Sequence, residues 1–145
     1  MKLQIKKTGL FTFLETSIIF AMKNEIGERP ERRFETRFTD VALQFLKELD
    51  VKGREKILSN IRKAEVTIND ELFKKLRDDI WEFRTLYKKC HYRLLAFWDK
   101  EERAVVIVTC GFIKKSNKTP NSFIENAIKI KHKYYIEKSN ANENL

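Results

Sequence analysis

The period of the apolar positions changes halfway along the chain. Val41, Ala42, Phe45, Leu46 and Leu49 recur at helical spacing, as do Ile57, Leu58, Ile61 and Ala64, with Glu65 on the same stripe. Gly53, just after Asp50-Val51-Lys52, marks a break between the two runs, so together they predict a helical hairpin. Before them, Arg33-Phe34-Glu35-Thr36-Arg37-Phe38 alternates and predicts a short strand, and Thr39-Asp40 offers the cap of the first helix. After them, Asn69-Asp70 ends the hairpin, and Leu72, Phe73 and Leu76 anchor an irregular connector.

The second half reads with a period of two. IWEFRTLY (80–87), HYRLLAFW (91–98) and RAVVIVTC (103–110) are rich in β-branched and aromatic residues, and the separators Lys88-Lys89-Cys90 and Asp99-Lys100-Glu101-Glu102 are short enough for hairpin turns. Three strands of an antiparallel meander are predicted. Gly111 then suits a sharp exit from the last strand, Thr119 an N-cap and Pro120 a first helical position. Phe123, Ala127, Ile130 and Tyr134 supply one face of a final helix. The order β-α-α-β-β-β-α defines an α+β fold: an antiparallel sheet, a helical hairpin packed on one face, and a C-terminal helix. The other sheet face stays open at least in part.

The domain is expected over 33–138, with a polar tail at 139–145. Residues 1–32, which include the lysine-led apolar stretch MKLQIKKTGLFTFLETSIIFAMKNE, read as a loosely attached amphipathic extension. Glu15 interrupts that stretch, the apolar run is too short to span a bilayer and no small-x-small cleavage site follows, so no export is implied and a cytoplasmic protein is expected. Cys90 and Cys110 have no CxxC spacing and read as small buried hydrophobes; with two scattered histidines they make no zinc centre.

Charge sharpens the picture. The chain of 145 residues has a net charge of +9, yet residues 34–80 balance at 10 Lys/Arg against 10 Asp/Glu, while residues 81–133 carry 12 against 5. A neutral half joined to a basic half points to a polyanion-binding face built by the strands. An even-numbered loop centred on Lys88-Lys89 places Arg84 opposite Arg93, whereas a three- or five-residue loop shifts the register and removes that pairing. Like charges facing each other in a sheet are destabilising unless they splay to solvent or bind an anion. Alternation then sets Glu82, Arg84 and Leu86 on one face of their strand, and His91, Arg93, Leu95 and Phe97 on one face of the next. Lys114, Lys115 and Lys118 follow the third strand and border the same cleft. Arginine forks match phosphate oxygens, and lysines add point charge. Trp81, Phe83, Trp98 and Phe112 read as core rather than base-stacking platforms.

The set of EFR, YR and GFIKKSNKTP before a helix resembles the RelE/HigB superfamily of bacterial toxins, in its HigB-like branch, over roughly residues 33–137. The resemblance implies a ribosome-dependent endonuclease of mRNA, restrained by a cognate antitoxin, expected to be a small helix-turn-helix protein. Its chemistry is attack of the RNA 2′-hydroxyl on the adjacent phosphate and requires neither metal nor cofactor. Carried over by motif, Arg84 and Arg93 stabilise the phosphorane, and Lys114 and Lys115 are the basic pair after the last strand. Lys88, Lys89 and Lys118 are expected to bind RNA. The acid and base stay open: His91 is the nearest histidine, and Glu82 is either a base or the charge partner of Arg84. Two rivals share the fold, a ParE-like poison of DNA gyrase and a degenerate member that only binds nucleic acid or antitoxin. An Arg93 buried in a salt bridge would take most of the support from the nuclease.

Overall fold

The computed structural model describes residues 31–144, so the expected N-terminal extension lies almost entirely outside the described residues. The elements run β1 (Glu35–Phe38), α1 (Asp40–Glu48), α2 (Val51–Val66), β2 (Phe73–Lys75), β3 (Trp81–Tyr87), β4 (Cys90–Trp98), β5 (Val105–Lys114) and α3 (Asn121–Glu143). They build one five-stranded sheet in the order β1-β5-β4-β3-β2.

Two expectations are corrected here. The sheet is mixed, because β1 pairs parallel with β5, Glu35 against Val105 through Phe38 against Val108. The helices α1 and α2 carry the chain from β1 at one edge to β2 at the other, and the antiparallel run β2-β3-β4-β5 then brings β5 alongside β1 in the same direction. The connector at Leu72–Leu76 is partly regular, since Phe73 pairs with Phe83 and adds β2 as an edge strand.

Each sheet face is covered by its own core. On one side α1 and α2 bring Ala42, Leu46, Ile57, Leu58, Ile61 and Ala64 onto Phe83, Leu94, Ala96, Val106 and Val108. On the other, Ile124, Ala127, Ile130 and Tyr134 of α3 meet Leu95, Phe97, Ile107 and Phe112. The open face expected from the sequence is therefore closed over part of its length by α3. That helix continues through 139–143, the segment read as a tail.

Local devices set the frame. Thr39 caps α1 as expected, its hydroxyl accepting from the Ala42 amide at 3.2 Å. Gly53 does not separate the helices; α2 starts at Val51 and runs through it. Gly111 is not an exit either, for β5 runs on to Lys114. A Cβ at residue 111 would lie 2.2 Å from Cδ1 of Phe45, so glycine is what lets α1 press its ring onto the strand.

Candidate anion-binding face

The β3–β4 turn fixes the register of the site. Lys88 and Lys89 both adopt left-handed backbone, φ 48° and 66°, as a two-residue primed turn requires. Arg84 therefore faces Arg93, and Leu86 faces His91, as the even-numbered loop predicts. The same face continues across the sheet: Arg93 is opposite Phe112, and His91 opposite Lys114. On the other flank Glu82 pairs with Lys74 of β2.

Lys114 reaches this face through an irregularity in β5. Leu95 pairs with Cys110 but Ala96 with Val108, which leaves Thr109 as an extra residue. Val105 and Ile107 face α3, and by strict alternation 109, 111 and 113 would follow. The bulge puts Cys110, Phe112 and Lys114 there instead. Thr109 is fully buried and satisfied: its hydroxyl donates to the Leu95 carbonyl at 2.8 Å, and its own carbonyl accepts from the Thr39 hydroxyl at 2.7 Å.

Glu82 lies at the centre and is 2% exposed. Its Oε1 lies 3.3 Å from Nε of Arg93 and 3.6 Å from Nε of Arg84. Its Oε2 accepts a hydrogen bond from the Thr119 hydroxyl. Thr119 is thus not the helix cap; Pro120 takes that position. Arg93 is 4% exposed, and its Nη1 donates to the Tyr92 carbonyl at 3.0 Å. Neither arginine Nε has a hydrogen-bond partner in good geometry.

Arg93 is the main correction to the site. It is buried and ion-paired, not splayed toward a ligand. Arg84 is more open, with its Nη1 3.4 Å from the Asp70 carbonyl. Burial lowers the Arg93 guanidinium below the ordinary arginine value, opposed by Glu82 and assisted by Arg84. Burial likewise lowers the Lys114 ammonium, and the charges of Arg93, Arg84 and Lys74 add to it against the pull of Glu82. Four cations that press on one another around a single carboxylate form a seat short of negative charge.

The other expected residues are placed as follows. His91 is exposed on the face beside Lys114. Lys115 and Lys118 are exposed on the loop after β5, where the Lys118 carbonyl accepts from the Ser116 hydroxyl at 2.8 Å. Lys88 and Lys89 project at the turn beyond the Leu86–His91 pair, and the Lys88 ammonium is 5.4 Å from the centre of the Tyr87 ring. The site is bounded by α3, whose Phe123 stacks on Phe112 at 4.1 Å between ring centres. Two members escaped sequence reasoning. Lys74 was hidden in a segment read as irregular, and Thr119 already had a role as a cap; the KK run and the KTP motif were the only available signals. Among the described residues no cluster of His, Cys, Asp and Glu is arranged to hold a metal ion.

A mixed sheet with a hairpin on one side, a closing helix on the other and cations gathered beside that helix defines a small α+β protein with a basic sheet face. Residues 44–132, which span every strand but β1, match the family described as phage derived protein Gp49-like (DUF891), and the chain belongs to that family, one of phage-derived RelE/HigB-like toxins. A comparison with curated proteins finds no match. Among the described residues no helix is long and apolar enough to cross a membrane.

Proposed function

We propose that the chain is the toxin of a toxin–antitoxin pair, of the HigB-like branch, and that its target is RNA held by the phosphate backbone at Arg84 and Lys114. The observation that supports this is the bulge at Thr109, which turns Lys114 onto the face of the Arg84–Arg93 pair around one buried carboxylate. Lys115, Lys118 and Lys74 flank that seat, and backbone neutralisation by such a set is the sequence-independent part of nucleic-acid binding.

Cleavage of mRNA in the ribosome is the finer reading, with the 2′-hydroxyl attacking the adjacent phosphate. Here it rests on Arg84 and Lys114 as the phosphorane's cations, because Arg93 is spent on Glu82. His91 is the exposed titratable group beside them. Glu82, sealed among two arginines and Thr119, suits a charge partner and not a base. The second reading is a member that binds without cutting, and the buried Arg93–Glu82 pair favours it. A helix-turn-helix antitoxin, a cytoplasmic setting and the absence of a cofactor complete the proposal.

The test is inducible expression in bacteria of the wild type beside Arg84→Ala and Lys114→Ala, with mapping of mRNA 5′ ends. Growth arrest with new cuts inside translated codons, lost in both variants, supports the nuclease. Arrest without cuts, still dependent on the two cations, moves the assignment to binding alone. Arrest with gyrase-linked DNA damage removes RNA as the target.

A further inference from the structure

The loop 115–120 carries Lys115 and Lys118, and its side chains are tied to the sheet, among the described residues, by one hydrogen bond, from the Thr119 hydroxyl to Glu82. A threonine just before a helix ordinarily bonds the amides of its own first turn. This one gives up that role and faces the sheet, and α3 starts without a side-chain cap. The carboxylate it meets is divided: Oε2 holds Thr119, while Oε1 lies 3.3 Å from Arg93 and 3.6 Å from Arg84. One buried anion therefore references the basic loop and the strand arginines to the same point. The Phe123–Phe112 stack secures the chain four residues further on.

We propose that Thr119 and Glu82 form a latch that seats the basic loop beside Arg84, which makes both of them positioning residues for the RNA contact. The purpose of the latch rests on the RNA reading above; its existence does not. A bond to a charged, sheltered acceptor is strong enough to keep a short loop closed most of the time, and among the described residues no other side-chain hydrogen bond ties the loop to the sheet.

The test uses the full chain with Thr119→Val, which keeps the shape and removes the donor, and Thr119→Ser, which restores it. Limited trypsin digestion reads the release of the loop at Lys115 and Lys118, thermal unfolding reads the fold, and a short 2′-O-methyl RNA strand reads binding. The valine variant is expected to be cut about tenfold faster at those two lysines and to bind the strand several-fold more weakly, with serine close to wild type. Equal cutting of valine and wild type at matched unfolding midpoints overturns the latch. Faster cutting with unchanged RNA affinity overturns its positioning role. If the wild type itself binds no RNA, the RNA reading falls and the digestion still decides whether the latch exists.

Discussion

Arg93 shows how one residue's surroundings can reverse its expected part. With both side chains 5% exposed or less, the Arg93–Glu82 pair has left water, and its worth lies in never being broken singly. Glu82→Leu is expected to cost about 3–5 kcal/mol in chemical denaturation, and adding Arg93→Met should recover most of that loss. A double variant as unstable as the single one would show that the pair is not what Glu82 contributes. The turn offers a prediction of opposite sign. Lys88 and Lys89 hold φ values that L side chains rarely adopt, so Asn-Gly in their place should stabilise by about 1 kcal/mol, read as a higher unfolding midpoint. The facing arginines were legible as one of two registers, and the two-residue turn at Lys88-Lys89 selects the even-numbered one. The burial of Arg93 was not, since it depends on Thr119 and on the α3 side of the sheet, which no local pattern encodes.

At the scale of elements, α3 is held by a clasp at its C-terminal half. Asp99 ends the β4 hairpin arm and is 8% exposed; its Oδ2 accepts from the Tyr134 hydroxyl and lies 2.9 Å from the Lys138 ammonium, and its Oδ1 accepts the amides of Glu101 and Glu102. Burial alone would raise the Asp99 carboxyl, but those donors outweigh it and hold it below its ordinary value of 3.8. A carboxylate lowered on folding adds stability above that ordinary value and loses it as pH falls through the folded one. The unfolding midpoint should thus drop as pH is taken below about 4, and Asp99→Asn should flatten that part of the profile. An identical acid limb in the variant would place the acid sensitivity elsewhere. Helices, strands and the meander were legible in the periodicity of two against 3.6. The parallel β1–β5 pairing was not, because β1 carries no mark of its neighbour, and Gly111 read as punctuation when its reason is a phenylalanine 66 positions earlier in the chain, Phe45.

For the whole molecule the decisive quantity is where the excess charge acts. The net charge of +9 is concentrated in 81–133, but that span includes both the strand face and the lysines of α3, so the sum alone cannot say which surface meets a polyanion. Geometry separates them: Arg84, Lys114 and Lys74 lie on the sheet face around Glu82 and Lys115 and Lys118 are exposed on the loop that follows it, whereas Lys129 and Lys133 are exposed on α3. On the proposed RNA reading a single strand held by these five cations releases counterions, and the logarithm of affinity against that of salt should fall with a slope of about −2 to −3.5. Lys114→Ala with Lys115→Ala should make that slope shallower by about 1.4, while Lys129→Ala with Lys133→Ala should leave it unchanged. Titration of a fluorescent RNA strand at several salt concentrations measures both. A slope near zero would remove the polyelectrolyte reading of the sheet face. Equal losses from the two pairs would spread the contact over α3 and show that the bulge at Thr109 does not choose the surface.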